Sequence, residues 1–398
     1  MTFDPSSREA EAQAEIAATR LGRGVAAALV AGGIAVLASG PLVETVALAR
    51  GDSAVFAAFA APSAGAGALA LARARADEIE TRFDERSLLV RSLRPRAQEL
   101  LTRSGGYGNE RALVGRDGWL FFRDDVEHLV ARRPAGSFAG DPLRAIVAFR
   151  DELAAHGVGL VVVPTPLKPT VQPEKLARGA AAPPVRRAGE AELLAAVAGA
   201  GVEVLDLADR FVREARFAPL YLATDTHWRP EAVEIAAREL AILLRERFDL
   251  PPGEPSWREG AIERRRGVGD TAAMLELPAN ASLLAAATVE TRPVASPAGE
   301  PAEILLLGDS FAGIYSSPDL GWGAGAGLAD RLAAQLGLPV DRILRNAGGA
   351  SATRAALADA WRRDPARFAS LRVVVWQLAA RELSQGEWRD VELPAAAH

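Results

Sequence analysis

Short unbroken apolar runs alternate with amphipathic segments from about residue 142 onward. Pro142–His156 reads as a helix, Val158–Val163 as a strand, Glu190–Ala200 as a helix and Val202–Leu205 as a short strand. Glu231–Phe248 reads as a further helix, with Pro230 suited to its first position. Ile304–Leu307 is a strand, Leu328–Leu336 a helix, Arg342–Leu344 a strand, Ser351–Arg362 a helix and Val373–Trp376 a last strand. Apolar runs closed by turn residues suit strands buried on both faces. Their alternation with helices predicts an α/β domain whose mostly parallel sheet lies between helices. Pro251–Pro301 breaks the pattern, being rich in Pro, Gly and charge, and is expected to be an excursion.

The amino-terminal part has a different texture. Residues 1–23 are polar and carry Arg8, Arg20 and Arg23. Gly24–Val43 is a run of 20 uncharged residues, about the length that crosses a ~30 Å hydrocarbon core. Three arginines precede it and only Arg50 closely follows, which places the amino terminus in the cytoplasm and the remainder outside. Ala47-Leu48-Ala49 would also suit a signal peptidase, so an uncleaved anchor competes with a cleaved signal; both readings export the rest. Residues 53–72 are uncharged as well, but they are Ala-rich and interrupted by Pro62, Ser63, Gly65 and Gly67. A packed or membrane-proximal segment is the expectation there, with a second span as the alternative. Helical spacing at Ile79, Phe83, Leu89, Leu93 and Leu100 predicts a lead-in helix, and Ser104–Asn109 is a glycine-rich break.

Composition narrows the function. A net charge of −5 argues against a nucleic-acid binder. The absence of cysteine excludes disulfides, thiolate metal sites and a cysteine nucleophile. Hydrophobic residues make up 49% of the 398, ample for a core that needs no covalent staples.

Candidate chemistry begins at Gly308-Asp309-Ser310, directly after the Ile304–Leu307 strand. A serine at the carboxyl end of a parallel strand lies where such sheets place ligands, and the turn leaves the Ser310 N–H free for an oxyanion. A surface serine on a βα loop is the bland alternative. A serine nucleophile needs a base, and the base needs a group that sets its tautomer. Of the four histidines, only His227 has a carboxylate two residues away, Asp225, a bulky neighbour, Trp228, and a helix start beyond it. Asp-x-His also offers two metal ligands, but no third ligand with convincing spacing is evident.

Asp225-Thr226-His227-Trp228 followed by Gly308-Asp309-Ser310-Phe311 resembles the SGNH-hydrolase-like domain of the alginate O-acetyltransferases, the AlgJ/AlgX family. Gly115–Arg123, Val161–Lys168 and Pro173–Leu176 also resemble that family's motifs, and the likeness runs over roughly residues 106–385. It implies an SGNH-hydrolase-like (flavodoxin-like) three-layer α/β domain with a mostly parallel sheet, preceded by an N-terminal transmembrane helix. The domains expected are a cytoplasmic tail (1–23), a transmembrane anchor or signal segment (24–43), an Ala-rich and helical lead-in (44–105) and an acetyltransferase domain (106–398).

What the resemblance implies about activity is periplasmic O-acetylation of an alginate-like exopolysaccharide through an acetyl-serine, with Ser310, His227 and Asp225 as the catalytic set. It implies no cofactor. It brings in an inner-membrane anchor and, as acetyl donor, an integral-membrane acyltransferase of the MBOAT type. The chain stops soon after the catalytic-type domain, which brings it closer to AlgJ than to AlgX. Asn346, Gly348 and Gly349 follow a strand and are candidates for further oxyanion donors, a glycine-rich turn being the alternative. Arg381, just past the last strand, is a candidate for pairing with a sugar carboxylate, or is simply solvated. An acetylesterase with the same three residues, or a non-catalytic scaffold of a secretion complex, are the competing functions.

Overall fold

The computed structural model describes residues 88–130, 140–253, 258–278, 281, 284–295, 302–346 and 348–395, with isolated positions between 24 and 50. It divides into two compact units, Met1–Ala97 and Gln98–His398. In the first, Gly24, Ala27, Ala31, Leu42, Val46 and Ala49 are helical, and helix Leu88–Gly105 begins there. The expected anchor at 24–43 otherwise lies outside the described residues, as does all of 53–72. Among the described residues no helix is long and apolar enough to cross a membrane.

The second unit is built on five parallel strands: β1 (Gly159–Thr165), β2 (Glu203–Val204), β3 (Ile304–Gly308), β4 (Val340–Leu344) and β5 (Val373–Ala379). They lie in the order β4-β3-β5-β1-β2. β5 is flanked on both sides, with Val373 opposite Gly159 of β1 and opposite Ile304 of β3. Helices α1 (Pro142–Ala155), α2 (Glu190–Gly199), α3 (Pro230–Arg247), α4 (Leu328–Leu336) and α5 (Gly349–Arg363) cover the two faces. Side chains alternate along each strand. Val161, Val163, Ile304, Leu306, Val373 and Val375 therefore share one core with α3 and α4. Leu160, Val162, Leu305, Leu307, Val374 and Trp376 share the other with α1, α2 and α5. Burial on both faces is why these strands are continuous apolar runs, and it makes the domain three-layered.

β1 and β5 each run past the point where the apolar run stops. Their polar residues are satisfied by one another: Gln377 donates from Nε2 to Thr165 Oγ1 at 2.8 Å. Counted from β3, the order becomes 2-1-3-4-5, the flavodoxin-like arrangement cut at a different point in the chain. β3 and β5 then flank the switch point, and the crevice beyond their carboxyl ends is where a ligand belongs. Ser310 stands at that place.

The Pro251–Pro301 stretch carries structure of its own. It holds two antiparallel pairs, Arg258–Glu259 with Val294–Ala295 and Glu263–Gly267 with Ala287–Thr291, and the short helix Asp270–Met274. A hairpin, Ala112–Val114 with Leu120–Phe122, leads into helix Arg123–Val130 ahead of α1.

Candidate active site

Asp225 and His227 sit at the tip of a loop whose two limbs are tied together. Leu222 N–H donates to His227 O at 3.1 Å and Arg229 N–H to Leu220 O at 2.8 Å. Pro230 then starts α3. Asp225 Oδ1 accepts from His227 Nδ1 at 2.7 Å and from its backbone N–H at 2.9 Å. Asp225 Oδ2 accepts from Trp322 Nε1 at 2.9 Å and from the Asp270 N–H at 3.0 Å. Both carboxylate oxygens thus take two donors each. The opposite ring nitrogen, His227 Nε2, is buried and has no hydrogen-bond partner.

Electrostatics follows from these contacts. Burial pushes Asp225 up, but the His227 hydrogen bonds and charge and the Trp322 bond hold it well below the usual carboxylate range. Burial pushes His227 down, yet its bond to Asp225 and the charges of Asp225, Asp270 and Asp309 leave it raised above its ordinary value. Lys168 lies fully buried behind the loop and donates to Leu120 O at 2.7 Å. Burial pushes its ammonium down to about 8 against the attraction of Asp225, Asp270 and Asp125.

Ser310 is half-buried and opens the one-turn helix Ser310–Gly313 that follows β3. Asp309 braces this turn. Its Oδ1 accepts from Phe311 N–H at 2.8 Å, its Oδ2 from Ala379 N–H at 2.8 Å, and its own N–H donates to Gln377 Oε1 at 3.0 Å. The turn is fastened to the His227 loop as well. Trp228 Nε1 donates to Phe311 O at 2.8 Å, Tyr315 OH donates to Trp228 O at 2.8 Å, and the Phe311 ring lies 5.0 Å from the imidazole. The turn that carries Ser310 is thus bonded to the loop that carries His227, and Nε2 has no hydrogen-bond partner in this structure, Ser310 Oγ included.

The remaining candidates fall at the carboxyl ends of neighbouring strands. Asn346, after β4, is exposed, and its Oδ1 lies 3.3 Å from where a Cβ on Gly313 would stand. Gly348 and Gly349 have positive φ of 101° and 66° and lead into α5. A side chain on Gly349 would meet Glu382 Oε2 at 2.5 Å, and that oxygen accepts from Ala350 N–H at 3.1 Å. A side chain on Gly348 would likewise meet Ala352 Cβ, at 2.8 Å, so both positions are crowded. Arg381 is not solvated: its Nη1 pairs with buried Asp125 at 2.8 Å, and its guanidinium lies over the Phe122 and Phe311 rings.

Two residues of the site carried no recognisable motif. Trp322 comes from a glycine-rich loop whose Gly321, Gly323 and Gly325 take positive φ of 81°, 109° and 71°. A lone tryptophan among such glycines is a signal that could have flagged it. Asp270 comes from the excursion and brings a third group to the pair, correcting the expectation that none lay near. Ligand atoms of Asp225, His227 and Asp270 lie within 4.8 Å of one another. Asp225 is, however, already saturated by four N–H donors, and Asp270 Oδ1 accepts from Thr226 N–H at 2.6 Å and Thr271 Oγ1 at 3.0 Å. With four donors already on Asp225, its carboxylate has little acceptor capacity left for a cation.

A three-layer α/β domain of permuted flavodoxin order, with a serine at a strand end and a carboxylate–imidazole pair on a loop bonded to its turn, suits an SGNH-hydrolase-like protein. Residues 112–380 match the family described as "SGNH hydrolase-like domain, acetyltransferase AlgX", and the chain belongs to that family. Among curated relatives, the "Probable alginate O-acetylase AlgJ" of Pseudomonas aeruginosa is 29% identical over 172 residues, 43% of this chain and 42% of that protein. Its counterpart in Pseudomonas syringae pv. tomato is 30% identical over 172 residues, with the same shares of 43% and 42%. The matches thus span about two fifths of those relatives' length. The O-acetyltransferase domain of Pseudomonas putida AlgJ is similar with 23% identity and a TM-score of 0.49, over 69% of this chain and 92% of that one.

Proposed function

We propose that this chain is an exported O-acetyltransferase that places acetyl groups on hydroxyls of an exopolysaccharide, alginate or a polymer like it, through an acetyl-Ser310 intermediate. Family membership and the names of the relatives support the reaction class and the polymer. The observation that carries the residue assignment is the state of His227. Asp225 occupies Nδ1, which leaves Nε2, buried and unpartnered, to act as base.

In the first half-reaction Ser310 Oγ attacks the acetyl carbonyl carbon and its proton passes to Nε2. Asp225 stabilises the imidazolium, and the tetrahedral adduct collapses as Nε2 returns the proton to the departing donor atom. In the second, a sugar hydroxyl gives its proton to Nε2 and attacks the acetyl-serine. Ser310 leaves and takes that proton back. The Ser310 N–H is the oxyanion donor in this reading, and the Asn346 side-chain amide, near Gly313, is the candidate for a second. Catalytic hydrogen bonds are often long before substrate arrives, and Ser310 Oγ to Nε2 is expected to close in the Michaelis complex. An integral-membrane acyltransferase of the MBOAT type is the proposed acetyl donor, with the amino-terminal segment holding the chain at the membrane.

The test is incubation of the protein with an activated acetyl ester, with and without an oligouronate acceptor, following the acetyl-enzyme by mass. The reading expects an adduct on Ser310 that disappears faster when acceptor is added. Release of acetate at the same rate with or without acceptor would favour the esterase. No adduct and no turnover would favour a scaffold.

A further inference from the structure

We infer that Asp270 is a positioning residue of this site, a second carboxylate that grips the Asp225–His227 loop and adds its charge beside the imidazole. The inference rests on the reading of His227 as the base. Three features of the geometry carry it.

The first is reciprocity. Asp270 N–H donates to Asp225 Oδ2 at 3.0 Å while Asp270 Oδ1 accepts from Thr226 N–H at 2.6 Å. Each carboxylate therefore caps the backbone of the other's segment, and neither segment can shift without breaking both bonds. The neighbouring residues repeat the grip: Ala272 N–H donates to Thr224 O at 3.0 Å, and Thr271 Oγ1 lies 3.2 Å from Thr226 Oγ1.

The second is the approach that makes this possible. Gly269 adopts φ +81°, and a Cβ there would stand 2.5 Å from Asp225 Cβ and 2.6 Å from Thr224 O. Only glycine lets helix Asp270–Met274 come down on the loop this closely.

The third is the free oxygen. Asp270 Oδ2 lies 3.7 Å from His227 Nδ1, too far for a hydrogen bond but close enough for its charge to act. Asp225 sets the tautomer, whereas Asp270 adds negative charge on the same edge of the ring, favouring the imidazolium that forms when Ser310 gives up its proton. The charged groups around the imidazole come from three elements: Asp225 on its own loop, Asp270 on the short helix and Asp309 at the turn after β3. Lys168, buried behind them, faces Asp225 and Asp270 and offsets part of their field.

The test is histidine NMR titration and pH-dependent turnover of the full chain with Asp270→Asn and Asp270→Ala. With only four histidines, one His227→Gln spectrum assigns the signal. Asp270→Asn retains an amide oxygen for Thr226 N–H but loses the charge. It should lower the His227 pKa by about one pH unit, the scale of a charge near 4 Å in a partly wet site. The acid limb of turnover should move down with it, at little change in KM. Asp270→Ala, which also releases the loop, should cost on the order of tenfold more in kcat than Asp270→Asn. If Asp270→Asn leaves the His227 titration and the acid limb where they are in the wild type, the inference is wrong. Ser310→Ala keeps the two questions separate. Its NMR titration reports on Asp270 without needing turnover, whereas an active Ser310→Ala would sink the triad and leave the titration result standing.

Discussion

His128 and His227 each meet a carboxylate through one ring nitrogen, and they differ at the other. His128 Nε2 lies 3.1 Å from Glu190 Oε2, and its Nδ1 lies 2.6 Å from Ser384 Oγ. All three residues of that chain are buried. Both ring nitrogens of His128 are therefore occupied, and the serine–histidine–carboxylate series is closed. It fastens helix Arg123–Val130, the start of α2 and the turn Glu382–Gln385 to one another. At His227 the carboxylate is in place, but Nε2 is left unsatisfied inside the protein. Such an orphaned buried group costs about 1–3 kcal/mol, and a cost of that kind is characteristic of a site built for a substrate. In the proposed reading the same three residue types make a fastener in one place and carry the chemistry in the other. What separates the two histidines is the unpartnered nitrogen of His227.

The contrast can be broken most decisively at the serines. Ser310→Ala and His227→Ala should each lower turnover by several orders of magnitude, and the double variant little further, because the two act as one unit. Ser384→Ala should leave turnover near that of the wild type in the same acetyl-ester assay. An active Ser310→Ala, or a dead but folded Ser384→Ala, would reverse the assignment of the two sites.

Next come the carboxylates. Asp225→Asn should favour the wrong imidazole tautomer and lose about 10⁴ in kcat, the scale of this change in a serine protease. Glu190→Gln should spare kcat, and initial rates on the purified variants distinguish the two.

Stability should rank the two sites the other way. His128→Ala removes two buried bonds and leaves Glu190 with its Arg186 partner, and is expected to cost about 2 kcal/mol. Ser310→Ala should stay within about 0.5 kcal/mol of the wild type. Urea unfolding of both proteins measures this.

The smallest effect is in pH. Because His227 is raised above its ordinary value, activity should be lost on acidification at a pH above that of an unperturbed histidine. Its contribution to stability has the opposite sense: it is fully present below the unfolded-state pKa and lost as pH rises through the folded one. A pH–rate profile set beside thermal melts should show activity rising where that contribution fades. Parallel rise of both would contradict it.

Much of this fold is legible without coordinates, because strands buried on both faces must be apolar and the turns that end them must be polar or small. Ile304–Gly308 and Gly159–Thr165 announce themselves in that way. The site is legible where its members are neighbours in sequence, as Asp225 and His227 are. It is not where they meet across the chain. Nothing local marks Asp270 as a partner of Asp225, Trp322 stands out among its glycines without showing what it meets, and Arg381 meets Asp125, 256 residues away, only after folding. Glu190 and Ser384 were hidden for the same reason, as was the central place of β5. An apolar run shows that a strand is buried but not which strands flank it.

That central place bears on how the protein comes into being. β5 is the last of the five strands to be synthesised, yet it separates β1-β2 from β3-β4. A nascent chain that has reached Leu344 already contains Asp225, His227 and Ser310, but it holds two strand pairs with nothing to join them. Val373–Ala379 must insert between Gly159–Thr165 and Ile304–Gly308, closing long loops in parallel register, a slow kind of step. Until then the inner edges of both pairs stay open, a hazard that favours keeping the chain unfolded while it is being made or moved. Asp309 receives its bond from Ala379, and Gln377 its bond from Asp309, only in that final act. The serine turn is therefore locked only once β5 has inserted, so the site matures with the arrival of its last strand.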